Sequence, residues 1–160
     1  KDCAVKKMYM LPVHVPAMYL CKFLILTILL SVAAALQNLA LTQIGITSLP
    51  EGTFELYTLI IFALYSLITA MPALSFMLFI ASRFENMWIS LGIGVAGFLS
   101  GMALGVPKIG LFLADPFVIM LKPAVSMSTR PDVSVIAIAI VETLLFLAAG
   151  LWTSANIHYE

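Results

Sequence analysis

Apolar residues run along this chain in four long blocks, each separated from the next by a cluster of polar, proline or glycine positions. The first is FLILTILLSVAAALQNLAL, about 23–41, with Lys22 at its threshold. The others cover about 56–81, 87–106 and 133–152. Each matches the ~20 apolar residues that a helix needs to cross ~30 Å of hydrocarbon. Lipid offers no partner to a backbone N–H or C=O, so each block is predicted to be helical. The expected fold is all-α, a polytopic transmembrane helix bundle forming one domain over 1–160 with four spans. Pro72 falls inside the second block, where the lost donor and the ring clash predict a kink.

The connectors differ in kind. TQIGITSLPEGTFE reads as a polar turn between the first two spans, and SRFEN as a tight hairpin carrying Arg83 and Glu85. The third connector, 107–131, is long and unusually apolar, but Asp115-Pro116 interrupts it. Its apolar part, about 109–121, is too short for a fifth span and predicts short interfacial or re-entrant helices.

Composition agrees with the pattern. Hydrophobic residues make up 62% and charged residues 10%, against about 25% charged in a soluble domain, so an integral membrane protein is the class that fits. The formal charge is zero, which leaves no global field to attract nucleic acid. Charge placement says more. Lys1, Lys6, Lys7, Lys22 and Arg83 flank one side of the predicted spans, and Lys108, Lys122 and Arg130 the other. The excess of basic residues on the first side puts both ends of the chain in the cytoplasm and the 107–131 connector outside.

Cys3 and Cys21 form no CxxC pair and read as free thiols in a reducing compartment. His14 and His158 stand at opposite ends, so no metal site and no other cofactor is expected. No small-residue cleavage site follows the first apolar run, so the start is not a signal peptide. The chain does not begin with methionine, and the expectation is the C-terminal part of a longer polypeptide.

Two constellations inside the spans invite a role. In GIGVAGFLSGMALG, Gly97, Gly101 and Gly105 form two overlapping GxxxG steps, with Gly94 near the same face. That spacing lines small residues along one side of a helix and lets a neighbouring backbone approach. The groove serves packing, or it moves in a transport cycle; spacing does not separate the two. Glu142 lies in the middle of VSVIAIAIVETLLFLAAGLW, where a carboxylate costs about 2.5–3.5 kcal/mol and must face protein or water. Counting inward from the span ends puts Ser31, Tyr65, Ser66, Gly97 and Glu142 at similar depth. Tyr65 or Ser66 is therefore expected to donate a hydrogen bond to Glu142. That carboxyl is either structural or part of a substrate path.

Gln37 and Asn38 read as glue between helices. Tyr57, Trp88 and Trp152 fall at span ends, as interface anchors do. GxxxxGK[ST], HExxH and GxSxG are all missing, so no catalytic residue is nominated.

The N-terminal segment, 1–16, has its own pattern. Val5 to Leu11 can form about two helical turns with Val5, Met8 and Leu11 on one side and Lys6 and Lys7 on another. Pro12 and Pro16 then predict an extended PVHVP link to the first span. Such a segment is a flank lying against membrane lipid, or a knob offered to a cytoplasmic partner.

KKMYMLPVHVPAMYLCKFLILTILL resembles the segment before the third span of ABC-2-type permeases, through Lys7, Leu11, Pro12, Val13, Tyr19, Leu20 and Lys22. More narrowly it is similar to the lantibiotic-immunity permeases of the mutacin/epidermin E and G subunit type and to bacitracin-resistance permeases. FIASRFENMWISLGIGVAGFLSGMALG is similar to that family's polar hairpin and glycine-rich span, through Ser82, Phe84, Asn86, Gly92, Gly94, Gly97 and Gly101. The closing WTSANIHYE also fits, whereas His14, Val15 and Glu142 depart from the family's pattern.

The resemblance implies the permease subunit of a bacterial ABC exporter in the cell membrane, with six spans in the full subunit and its first two missing here. It implies a peptide antibiotic as substrate, an ABC ATPase subunit that supplies the energy, and a second permease subunit, identical or homologous. It also implies that Lys6, Lys7, Met8, Tyr9, Leu11 and Pro12 form the coupling helix seated in the ATPase. The rival readings are a non-transporting scaffold or signalling subunit, and a proton-coupled secondary transporter using Glu142.

Overall fold

The computed structural model describes residues 15–48, 55–84, 86–105, 114–126 and 131–155. The coupling segment Lys6–Pro12, most of the PVHVP link and the first part of the third connector lie outside them. Five helices account for nearly all the described residues: α1 (Val15–Ser48), α2 (Leu56–Arg83), α3 (Met87–Gly105), α4 (Pro116–Ser126) and α5 (Val133–Ala155). Four of them, all but α4, are long and apolar enough to cross a membrane. The chain is an all-α bundle and a multi-pass membrane protein.

Local chemistry sets the helix starts. Asn86 Oδ1 accepts the Trp88 N–H at 3.0 Å to cap α3, and Asp132 Oδ1 accepts the Ser134 N–H at 3.1 Å to cap α5. The Ser134 hydroxyl adds a 2.7 Å bond to the same oxygen, and these bonds hold the Asp132 carboxyl below its ordinary range. Asp115 caps α4 by accepting the Phe117 N–H at 2.9 Å, with Pro116 in the first turn where its missing donor costs nothing.

The first helix corrects two expectations. It begins at Val15, so the extended link does not continue through Pro16, which sits in the first helical turn. It also runs on through Thr42–Ser48, which was read as turn. Side chains there satisfy themselves within the helix: Thr42 and Thr47 donate to the carbonyls of Asn38 and Gln43, each at 2.8 Å. At 34 residues α1 is about 51 Å long, well beyond the hydrocarbon thickness, so it tilts or projects. The Asn38 amide donates to Ala34 O of its own helix at 2.8 Å, and among the described residues it makes no bond to another helix.

Packing centres on α2, which touches every other helix and most extensively α5 and α4. Pro72 is fully buried within it, and the helix passes through that position without a break. Thr69 donates to the carbonyls of Tyr65 and Ser66, and Ser75 to that of Pro72, so the buried hydroxyls on either side of the proline stay paired. The buried core joins Tyr65 of α2, Ile119 of α4, and Val135 and Ala139 of α5, with Ile68, Ile136 and Ile138 packed around it.

The outer helices attach differently. α1 lies against α2 and α5 and leaves most of its length exposed. α3 meets α2 only sparsely and packs mainly on α4. Tyr57, Trp88 and Trp152 are each about three-quarters exposed near helix ends, where an amphipathic ring meets both lipid and water.

Candidate functional site

The third connector does not lie flat on the bundle. Its described helix, α4, is inserted between α2 and α3, with Phe117, Val118 and Ile119 buried and Ile119 fully enclosed. It has 11 residues, too few to span a bilayer. A short helix at that place is tolerable because Asp115 pairs its first donors and the bundle surrounds its apolar side.

The glycines of α3 receive this helix. A Cβ at Gly97 would lie 2.3 Å from the Phe117 ring, and one at Gly101 would lie 3.0 Å from the Phe117 backbone. Gly94 faces the end of Met77 on α2 instead, 2.8 Å from a Cβ. Gly105 closes the helix. The stripe therefore admits the connector helix between two spans, which no spacing rule named as its occupant.

Phe117 belongs to a small aromatic group centred on Phe76. Its ring meets Phe76 of α2 edge-on, with centroids 5.9 Å apart at 88°, and Phe76 meets Phe146 of α5 at 5.1 Å and 65°. These three rings line a cleft of about 620 Å³ together with Gly97, Ser100 and Asp115. Ile93, Ala96, Ala114 and Pro116 complete its walls. The cleft is thus apolar except for one hydroxyl and one carboxylate, and the hydroxyl is already spent on Gly97 O at 2.8 Å.

Glu142 sits one helical turn before Phe146 on α5. One oxygen, Oε2, is buried and has no hydrogen-bond partner. The acid whose charge bears on it is Asp115. The expected hydrogen bond from Tyr65 or Ser66 is not formed. Tyr65 packs with Val135 and Ala139 in the first half of α5 and lies near Asp132, ten residues before Glu142. The depth count fails because α2 begins well before the level at which α5 begins, so equal distances from the span ends are not equal heights. Glu142 comes level instead with the stretch from Ile68 to Met71, as the cluster of these two with Ile140, Thr143 and Leu144 around a smaller cavity shows.

Sequence reasoning singled out the glycine stripe and Glu142 but missed Asp115, Phe76, Phe117 and Phe146. Asp115-Pro116 was legible as an interruption; its reading as a helix cap was available from the Asp-Pro order alone. Among the described residues no three His, Cys, Asp or Glu side chains converge as a metal site would require. No family model, no curated protein and no solved structure matches the chain.

Proposed function

We propose that this chain is the membrane-embedded permease part of a bacterial ABC exporter that removes a cationic peptide antibiotic from the membrane. The observation that carries the reading is α4, folded into a four-span bundle so that Asp115 opens onto an aromatic cleft beside a buried carboxylate. Asp115 also caps α4, but Glu142 has no such use in the packing, and a buried carboxylate without a partner is costly in an apolar setting. A cationic, partly apolar substrate matches both linings. The family resemblance of 7–22 and 79–105 adds the ATP-driven class and the bacterial cell membrane.

In this reading the chain itself performs no ATP hydrolysis. A separate ATPase subunit docks on Lys6, Lys7, Met8, Tyr9, Leu11 and Pro12, with both ends of the chain on its side of the membrane, and a second permease subunit completes the pathway. Co-expression with the ATPase encoded beside it tests this directly. The two copurify, and Met8→Asp with Tyr9→Asp separates them without loss of the permease from the membrane. Retention of the ATPase by the double variant refutes the coupling assignment.

The unpartnered Oε2 of Glu142 favours one other reading, a secondary transporter that carries a proton on this carboxyl. Transport that follows an imposed proton gradient, needs no nucleotide and is lost in Glu142→Gln selects it over the ABC reading.

A further inference from the structure

The cleft between α2, α3, α4 and α5 has a more specific chemistry than a peptide pathway requires. Three phenylalanine rings, Phe76, Phe117 and Phe146, come together within one wall system, and two of the three possible ring pairs stand edge to face. A phenyl ring lining a cavity can hold a cation against its face. One carboxylate, Asp115, lies on the same lining. One of its oxygens is engaged by the Phe117 N–H, a bond that needs no negative charge on the acid.

No described cation neutralises Asp115. The described basic side chains are Lys22 in the first turns of α1, Arg83 at the end of α2 and Lys122 on α4. The charge of Lys122 bears on Asp132, and the described residues form no salt bridge to Asp115 or Glu142. Glu142, one turn before Phe146 on α5, does not line the cleft. An apolar cleft lined by three aromatic rings and one carboxylate that no described cation neutralises is the form of a site for an organic cation that carries apolar groups.

We propose that this cleft binds amphipathic organic cations, ammonium or phosphonium groups bearing apolar substituents, with the charge at Asp115 and the apolar part among Phe76, Phe117 and Phe146. As the docking place of an exporter's substrate the assignment rests on the preceding reading; as a binding site it is tested without ATPase or transport. Asp115 supplies charge selectivity, and the rings supply affinity shared by charged and neutral ligands.

The test uses the full chain in lipid nanodiscs, titrated calorimetrically with tetraphenylphosphonium and with its neutral relative triphenylphosphine oxide, after subtraction of empty discs. Asp115→Asn keeps an oxygen for the Phe117 N–H and so keeps the α4 cap, while removing the charge. It should weaken the phosphonium at least tenfold and change the neutral compound less than twofold. Phe146→Leu, which leaves the cap's own bond untouched, should weaken both ligands together. Equal losses for both ligands in Asp115→Asn, undiminished phosphonium binding in it, or no saturable binding to the unaltered chain overturns the assignment. Copurification with the ATPase is scored separately, so a failed cleft and a failed exporter reading are told apart.

Discussion

Two aromatic side chains in this molecule are seated on glycine, and they are seated differently. Phe117 enters the groove of Gly97 and Gly101 with both its ring and its backbone, deep between α2 and α3. Tyr19 presses the end of its ring on Gly150, where a Cβ would lie 2.2 Å from the hydroxyl and from Cζ, and it leaves that buried hydroxyl without a partner. The first socket is a pair of glycines four apart; the second is a single glycine near the end of the last span. A repeated spacing announces a groove, whereas a lone glycine announces nothing until its neighbour is placed. What fills the groove decides how much it tolerates.

The largest effect expected is at the deep socket. Gly101→Val places new atoms against Phe117 backbone that cannot swing away, so it should destabilise by about 3 kcal/mol, the upper part of the range for overpacked cores. Denaturant unfolding in mixed micelles measures it, with the cleft and its ligand binding lost together. Gly150→Val meets only the far end of Tyr19, which can rotate outward and gain water for its hydroxyl. A cost of about 1 kcal/mol is expected there, and it should fall when Tyr19→Ala is added. Equal costs at the two sockets break the comparison.

Smaller effects sharpen it. Asp132→Ala removes the α5 cap and should cost about 1 kcal/mol, outside either socket. Because the folded protein holds this carboxyl below its ordinary value, its contribution is complete above the unfolded value and is lost as pH falls through the folded one. The penalty of Asp132→Ala should therefore shrink in acid of that range, where the neutral carboxyl keeps only the uncharged bond, and a penalty independent of pH there contradicts the ionic share of the cap. The group is exposed, so salt and solvent screen the ionic part. Gly92→Ala is the control with the opposite sign. Nothing lies within 4 Å of its added carbon, and helix propensity predicts stabilisation of up to about 1 kcal/mol.

How legible all this was depends on the kind of signal. The four spans followed from block length, because hydrocarbon forces every buried backbone group into a helix. Their ends did not follow. α1 overran its expected bounds of 23–41 because threonine and asparagine hydroxyls and amides can pair inside a helix, which hydrophobicity does not register. The glycine stripe was visible, and its occupant was not, since Phe117 belongs to a connector whose apolar residues resembled an interfacial segment. Glu142 stood out by its cost, but its surroundings required the register between α2 and α5, a non-local quantity that counting from span ends misjudged.

The attachment of α3 has a temporal meaning. This helix touches α2, its predecessor in the chain, only sparsely, and its main neighbour is α4, made later. During synthesis α3 must wait in lipid, glycine face unfilled, until the ribosome has passed Phe117. A chain truncated after Gly105 would strand that helix beside the others without a seat, however sound its own insertion.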